Sequence, residues 1–145
     1  MMKRSPDCHD CGTPSALIAC VSAASDCAGL AAVKPEATTT ITSATVVSAP
    51  SSIGGAKVGV PFCRVEGVAR PSADSEIKFE VWLPAADKWT GRLKVDGTGG
   101  YAGGVPYALL AQDIGDGFVT AGSNMGHDGG ESPAWTVNHP EKVKD

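Results

Sequence analysis

Apolar and charged residues alternate most regularly over residues 77–83, where isoleucine, phenylalanine and valine are separated by lysine and glutamate. This two-residue period predicts a half-buried β-strand, and Pro84 marks its end. A β-branched stretch over residues 39–47 and a shorter alternation over residues 61–68 predict two more strands. Residues 50–61 are rich in glycine and proline and are predicted to form a loop. The first half of the chain is therefore expected to be rich in β-structure.

The second half of the chain changes character. A strand is predicted over residues 89–95, joined to the preceding strand by a short, hairpin-like link at residues 85–88. Residues 105–112 suit a helix with Pro106 in its first turn, and residues 117–123 predict another strand. A strand, a helix and a second strand in this order predict an α/β fold with a right-handed crossover.

A glycine-rich segment lies between that predicted strand and the helix. Residues 97–104 contain five glycines in eight positions. Glycine adopts positive φ and leaves peptide N–H groups uncovered, so a loop of this kind can hold an anion or a developing oxyanion. We call residues 97–104 the glycine loop.

Three interpretations of the glycine loop compete. It is a bare turn, a dinucleotide-binding loop, or an oxyanion hole of the α/β-hydrolase type. Gly97, Gly99 and Ala102 match the relaxed dinucleotide pattern G-x-G-x-x-A, but the next strand lacks the terminal acidic residue that binds a ribose. The oxyanion interpretation fits the order of elements, although the chain contains no G-x-S-x-G nucleophile motif.

Candidate nucleophiles and bases follow the last predicted strand. Ser123 comes nearest to a nucleophile motif, but its neighbouring glycines stand at the wrong offsets. His127 with Asp128 resembles a base and its acid, yet hydrolase triads of this fold place the histidine after the acid. We therefore interpret His127 as a loop anchor, and His139, which precedes Pro140, as a turn residue.

The length and charge of the chain argue against binding to nucleic acid and against a membrane-spanning segment. A chain of 145 residues has the length of one domain. The net charge is −4 and no basic cluster follows Lys3 and Arg4, which argues against a nucleic-acid partner. The longest apolar run, residues 16–21, is far shorter than the roughly 18 residues needed to cross a bilayer. We predict a globular domain that does not span a membrane.

The N-terminal residues have the order of an export signal. Basic residues precede the apolar run, and small residues follow it up to Ala24. We predict that residues 1–24 are a signal peptide or disordered leader, that residues 25–145 form the folded domain, and that the protein is secreted or periplasmic.

Five cysteines cannot all pair within one chain. Without the leader, Cys27 and Cys63 remain, and an even pair in an exported protein indicates a disulfide, with two buried thiols as the alternative. The Cys8-x-x-Cys11 motif suggests zinc, but a structural site needs four ligands and this segment does not supply them. We predict no metal site.

Several separate motifs, in the right order, resemble the N-terminal part of the tannase and feruloyl esterase family. The resemblance covers about residues 26–145. The motifs that carry it lie at residues 61–67, 74–84, 89–92, 97–104, 123–127 and 135–142.

The resemblance implies a fold and an activity. The fold would be α/β, the incomplete N-terminal part of an α/β-hydrolase core preceded by a β-rich segment. The activity would be hydrolysis of phenolic-acid esters, such as those of gallic and ferulic acid, by a serine carboxylic-ester hydrolase. The substrate would be a small molecule, and no cofactor is expected. Calcium would bind only in a lid region that this chain lacks.

The resemblance also assigns residues. Gly99 and Gly100 match the pair that supplies an oxyanion-hole N–H, and Cys27 and Cys63 match a disulfide of the family. The nucleophile, acid and base would lie beyond residue 145, so we expect this chain alone to be inactive. Thr98 and the pair 124–125 depart from the family's usual residues, which we expect to loosen the loop's hydrogen bonding.

The sheet edge and an alternative function remain. The sheet is predicted to have an exposed edge at the strand near Phe118, which would favour association of the chain. The alternative function, from another class, is a non-catalytic secreted binding or structural module whose glycine loop contacts a partner.

Overall fold

The computed structural model describes residues 27–129 and 132–145. Over these residues the chain forms seven strands, one α-helix and short 3₁₀ helices. The strands are β1 (Thr39–Val47), β2 (Ser51–Ile53), β3 (Ala56–Val58), β4 (Phe62–Ala69), β5 (Ile77–Pro84), β6 (Leu93–Asp96) and β7 (Val119–Ser123). The α-helix, α1, spans Tyr107–Gly115, and the 3₁₀ helices span Ala28–Ala32, Pro133–Thr136 and Pro140–Val143.

Five of the strands form one mixed sheet in the order β1-β4-β5-β7-β6. The pairs β1–β4, β4–β5 and β5–β7 are antiparallel, whereas β6 and β7 are parallel and are connected through α1. Antiparallel strands followed by one parallel strand–helix–strand unit agree with the α/β fold predicted from the sequence. No helix in the described part of the chain has the length and apolar character needed to cross a bilayer.

The predicted loop over residues 50–61 is wrong, because β2 and β3 form a hairpin there. Its two-residue turn is Gly54-Gly55, with φ of +55° and +84°. A Gly-Gly pair between short apolar stretches favours such a turn, so the sequence did carry this information. The hairpin packs closely on α1, since a Cβ added to Gly54 would overlap the ring of Tyr107.

The predicted hairpin-like link between β5 and β6 is also wrong, because β7 lies between these strands. The segment before β6 runs against the turn that precedes β7, where the backbone N–H and Oγ1 of Thr90 both donate to the carbonyl of Gly117, at 2.9 and 3.0 Å. The exposed edge is consequently not at Phe118. Among the described residues, β7 is paired on both sides and β6 is paired on one.

Apolar side chains pack on both faces of the sheet. The face toward α1 carries a core formed by Val58, Phe62, Trp82, Leu110 and Ile114. The opposite face carries a second core cluster, whose buried residues are Cys27, Ala44, Cys63 and Val65. Cys27 and Cys63 form a disulfide with a Cα–Cα distance of 5.7 Å, the pairing that the family resemblance implies. This bond joins the first 3₁₀ helix to the sheet.

Candidate functional site

The glycine loop connects the carboxyl end of β6 to the start of α1. Gly99 and Gly100 are both exposed, and within the described ranges their peptide N–H groups donate to no backbone or side-chain acceptor. Gly100 has φ of +65° and Tyr101 has φ of 60°, so the backbone bends through the left-handed region here. The loop thus presents two free amide donors to solvent at the carboxyl end of a parallel strand.

Lys94 and two aspartates lie at the start of the loop. Lys94 Nζ lies 2.7 Å from Oδ1 of Asp113 on α1 and 3.8 Å from Oδ1 of Asp96, the last residue of β6. A hydrogen bond with Asp113, and then burial, raise the pKa of Asp96 above its ordinary value. The ion pair between Lys94 and Asp113 therefore joins β6 to α1 where the loop begins.

A buried hydrogen-bond network fixes the end of the loop. Tyr107 Oη donates to Glu80 Oε1 at 2.8 Å, while Arg64 Nε and Trp82 Nε1 both donate to Glu80 Oε2 at 2.7 Å. Burial raises the pKa of Glu80, but these hydrogen bonds outweigh it and the net effect is a lowered pKa. Burial, and then the bond to Glu80, raise the pKa of Tyr107 to about 12. An ionised carboxylate thus holds the first residue of α1.

The residues that depart from the family pattern make hydrogen bonds of their own. Thr98 Oγ1 donates to the carbonyl of Ala102 across the glycine loop. Asn124 is buried, and its Oδ1 accepts from the backbone N–H of Lys78 at 2.9 Å and of Gly126 at 3.1 Å. The side-chain amide oxygen of Asn124 therefore joins the start of β5 to the turn after β7.

Ser123 and His127 do not form a nucleophile–base pair. Ser123 Oγ accepts from the backbone N–H of Met125 at 3.3 Å. The ring nitrogens of His127 face two carbonyl oxygens instead: Nδ1 is 3.1 Å from that of Met125 and Nε2 is 3.0 Å from that of Tyr101. The ring also stacks on Trp135 with centroids 4.1 Å apart. These contacts agree with the interpretation of His127 as a loop anchor.

His139 precedes the last 3₁₀ helix, with its Nδ1 3.2 Å from Asp74 Oδ2 at the surface. The Cys8-x-x-Cys11 motif and the predicted leader, residues 1–24, lie outside the described residues. Over residues 27–129 and 132–145, no three histidine, cysteine, aspartate or glutamate side chains are grouped as metal ligands would be.

A groove of about 410 Å³ lies on the sheet near the start of α1, and Gly99 and Gly100 are not part of its lining. Its charged residues are already paired. Lys78 bonds to Asp128, and Glu80 holds the network described above. With these groups engaged, the charged residues of the groove offer no free acid or base within the described part of the chain.

Glu80 is the structural residue that the sequence analysis missed. The alternation over β5 predicts that Glu80 faces solvent, yet it is only 4% exposed. Its partner Arg64 is the residue directly opposite Trp82 on β4. Two charged residues on the same face of adjacent strands indicate such a pair only once the strand register is known.

The family described as "Tannase and feruloyl esterase" matches residues 63–145 of this chain. An uncharacterized esterase from Xanthomonas campestris pv. campestris is 39% identical over 135 residues, which are 90% of this chain and 23% of that protein. A probable feruloyl esterase B-2 from Aspergillus terreus is 37% identical over 106 residues, which are 72% of this chain and 20% of that protein.

A solved structure has a similar fold. The crystal structure of feruloyl esterase B from Aspergillus oryzae superimposes with a TM-score of 0.75 and 29% sequence identity, over 85% of this chain and 25% of that one. This similarity confirms the predicted fold class, a partial α/β-hydrolase core that is dominated by its sheet. The chain spans about a quarter or less of the length of these relatives.

Proposed function

Because the chain belongs to the tannase and feruloyl esterase family, we propose that it is the N-terminal part of a serine carboxylic-ester hydrolase. Its own contribution to the reaction is the glycine loop. During acyl transfer the carbonyl oxygen of the ester gains negative charge, and a peptide N–H of Gly99 or Gly100 donates to it. One such donor stabilises a transition state by about 3 kcal/mol.

This role is supported by the absence of hydrogen-bond acceptors for the backbone amides of Gly99 and Gly100 among the described residues. Gly99 and Gly100 are exposed, and within the described residues their N–H groups have no acceptor, so both are free to bind an incoming oxyanion. The loop that carries them is held at each end, by the Lys94–Asp113 ion pair and by the Tyr107–Glu80 bond. Donors held in place before the reaction lose less free energy to reorganisation than mobile donors do.

The nucleophile belongs to the part of the protein that is not in this chain. Within the described residues, Ser123 has no base beside it, and the relatives are about four times longer or more. In α/β-hydrolases the serine follows a strand of the same sheet. The outer side of β6 is free among the described residues, and a strand added there would bring its carboxyl end beside the glycine loop.

We propose phenolic-acid esters as substrates, since the Aspergillus relatives are named feruloyl esterases. Family membership favours this function over a non-catalytic binding module. The activity is tested by assaying methyl ferulate and methyl gallate hydrolysis with the 145-residue chain and with a chain extended through the following reading frame. We expect turnover by the extended chain alone. Turnover by the 145-residue chain would contradict the proposal that the nucleophilic serine lies outside it. Absence of turnover by both chains would contradict the proposal that the protein is an esterase.

A matched pair of variants in the extended chain tests the loop. Gly100 has φ of +65°, so Gly100→Ala strains the backbone and turns the amide away. Gly99 has no positive φ and open space around a Cβ, so Gly99→Ala is accommodated. We expect kcat to fall about 100-fold in Gly100→Ala and to change little in Gly99→Ala. Equal rates in the two variants contradict a role for this loop.

A further inference from the structure

The imidazole of His127 lies between two backbone carbonyl oxygens. Nε2 is 3.0 Å from the oxygen of Tyr101 in the glycine loop, and Nδ1 is 3.1 Å from the oxygen of Met125 in the turn after β7. Both are hydrogen-bond distances, and both partners are acceptors that have no proton to give. Each contact is therefore favourable only if the ring nitrogen carries a proton.

A neutral imidazole carries only one N–H. In that form one carbonyl accepts a hydrogen bond, and the other faces a nitrogen lone pair and is repelled. The imidazolium form carries both N–H groups and satisfies both carbonyls at once. The geometry around His127 thus matches the charged ring.

The contact with Tyr101 acts on the glycine loop directly. Tyr101 follows Gly100 and has φ of 60°, a conformation that a residue other than glycine adopts only when its surroundings hold it. A second contact is steric, since a Cβ added to Gly103 would lie 2.3 Å from the carbonyl oxygen of His127. The stack on Trp135, with planes inclined by 18°, fixes the orientation of the ring.

The charged groups around His127 are engaged by other partners. Asp128 follows it in the chain, and hydrogen bonds from Lys78 and Asn124, with a smaller effect of the His127 charge, lower the pKa of Asp128. Lys78 on β5 is held by Asp128, and its pKa is raised. Asp145 packs on Gly126 and accepts a hydrogen bond from Ser75 at 2.8 Å.

The glycine loop meets the ring through the backbone carbonyl of Tyr101, a residue that also carries a phenol, and Trp135, which stacks on the ring, does not ionise. Phenols ordinarily titrate near pH 10 and carboxyls near pH 4. Histidine is the side chain that changes charge between about pH 5 and pH 8.

We propose that His127 is a positioning residue whose protonation clamps the glycine loop in the geometry that presents Gly99 and Gly100. The protonated ring donates to Tyr101 and Met125 together and ties the loop to the turn after β7. Loss of one proton leaves one of the two carbonyls without its donor, and the loop loosens. The consequence for ester hydrolysis rests on the proposed function, whereas the clamp itself is a property of this chain.

The clamp is tested by NMR on the ¹⁵N-labelled 145-residue chain, titrated from about pH 5 to pH 8. We expect the amide signals of Gly99, Gly100 and Tyr101 to shift in one step. The imidazole ¹⁵N signals of His127 shift in the same step, with protons on both nitrogens at the acidic end. A loop that does not follow the imidazole overturns the proposal.

Two variants separate the clamp from simple packing. His127→Phe keeps an aromatic ring on Trp135 but has no N–H, and His127→Gln keeps a neutral donor at every pH. We expect the step in the loop amides to disappear from both. His139→Gln, which removes an exposed histidine of a surface pair, should keep it. If the step persists in His127→Phe, or in His127→Gln where the first variant does not fold, the proposal is wrong. This test does not measure esterase activity. An inactive protein would therefore contradict the proposed function but not the clamp.

Discussion

Phe79 covers Gly67 across the β4–β5 pair. The two residues lie directly opposite each other, and a Cβ added to Gly67 would lie 2.3 Å from the Cζ atom of the Phe79 ring. The ring therefore occupies the space that any other residue at position 67 would need. This contact lies in the centre of the sheet, on strands that also carry Arg64 and Glu80.

Gly67→Ala should destabilise the fold, because the methyl group forces the Phe79 ring out of its position. Overpacking of this kind costs about 1–3 kcal/mol. The free energy of unfolding is measured by urea titration. Gly59→Ala is the control, since Gly59 has no positive φ and nothing lies within 4 Å of its added Cβ. Equal stability of Gly67→Ala and the wild type would contradict the close packing.

Replacing Glu80 should cost stability and flatten its dependence on pH. The folded state lowers the pKa of Glu80 below the ordinary value of 4.5. The stability from its ionised form is therefore present above about pH 4.5 and is lost as the pH falls through the lower folded-state value. Glu80→Gln leaves Arg64 without its buried counter-charge, at a cost of about 3 kcal/mol at pH 7.

Urea unfolding of Glu80→Gln between about pH 7 and pH 3 tests both the lower stability and the flatter pH dependence. The free energy of unfolding should fall less with acid than it does in the wild type. The matched control is Glu76→Gln, which breaks the exposed pair with Arg70. An exposed pair contributes little, so its curve should follow the wild type. A Glu80→Gln protein with unchanged acid sensitivity would show that Glu80 is not ionised by its partners.

The Cys27–Cys63 disulfide should contribute strongly to stability. It spans 36 residues of sequence, and closing a loop of that length stabilises the fold by roughly 4 kcal/mol in the chain-entropy model. We expect reduction, or Cys27→Ser combined with Cys63→Ser, to lower the urea midpoint. Reductant should have no further effect on the double variant. Identical midpoints with and without reductant in the wild type would contradict the bond.

The chain should associate through β6 rather than through β1. Leu93 and Val95 on β6 are 62% and 69% exposed, and the outer side of this strand is unpaired within the described residues. Val95→Lys should shift the concentration-dependent mass measured by light scattering toward the monomer. Val46→Lys, on the opposite edge strand, is the control and should leave association unchanged. If Val46→Lys and not Val95→Lys shifted the mass toward the monomer, the chain would associate through β1.

The elements that the sequence predicted correctly are those with a local cause. The pattern over β5 repeats every two residues, β1 is rich in β-branched side chains, and the helix after Pro106 has its own start signal. The glycine loop was found for the same reason, because the conformational freedom of Gly100 is visible in a single residue.

The features that the sequence did not yield depend on distant residues. That β7 lies between β5 and β6 is decided by long-range pairing, and no short pattern near residues 85–88 encodes it. The burial of Glu80 likewise depends on Arg64 and Tyr107, which are 16 and 27 residues away. His127 was interpreted correctly as an anchor, but its contact with Tyr101 joins two loops whose approach only the folded sheet determines.

The glycine loop is held at both ends by residues outside it. Lys94 holds the start of the loop through its ion pair with Asp113 on α1, and Tyr107 holds the end through its bond to Glu80 on β5. Residues 98–102 lie between these two anchors, so their side chains can be varied without touching either anchor. A library varied only within that interval would sample new arrangements of amide donors on an unchanged framework, which makes this small segment a natural place to redesign what the protein recognises.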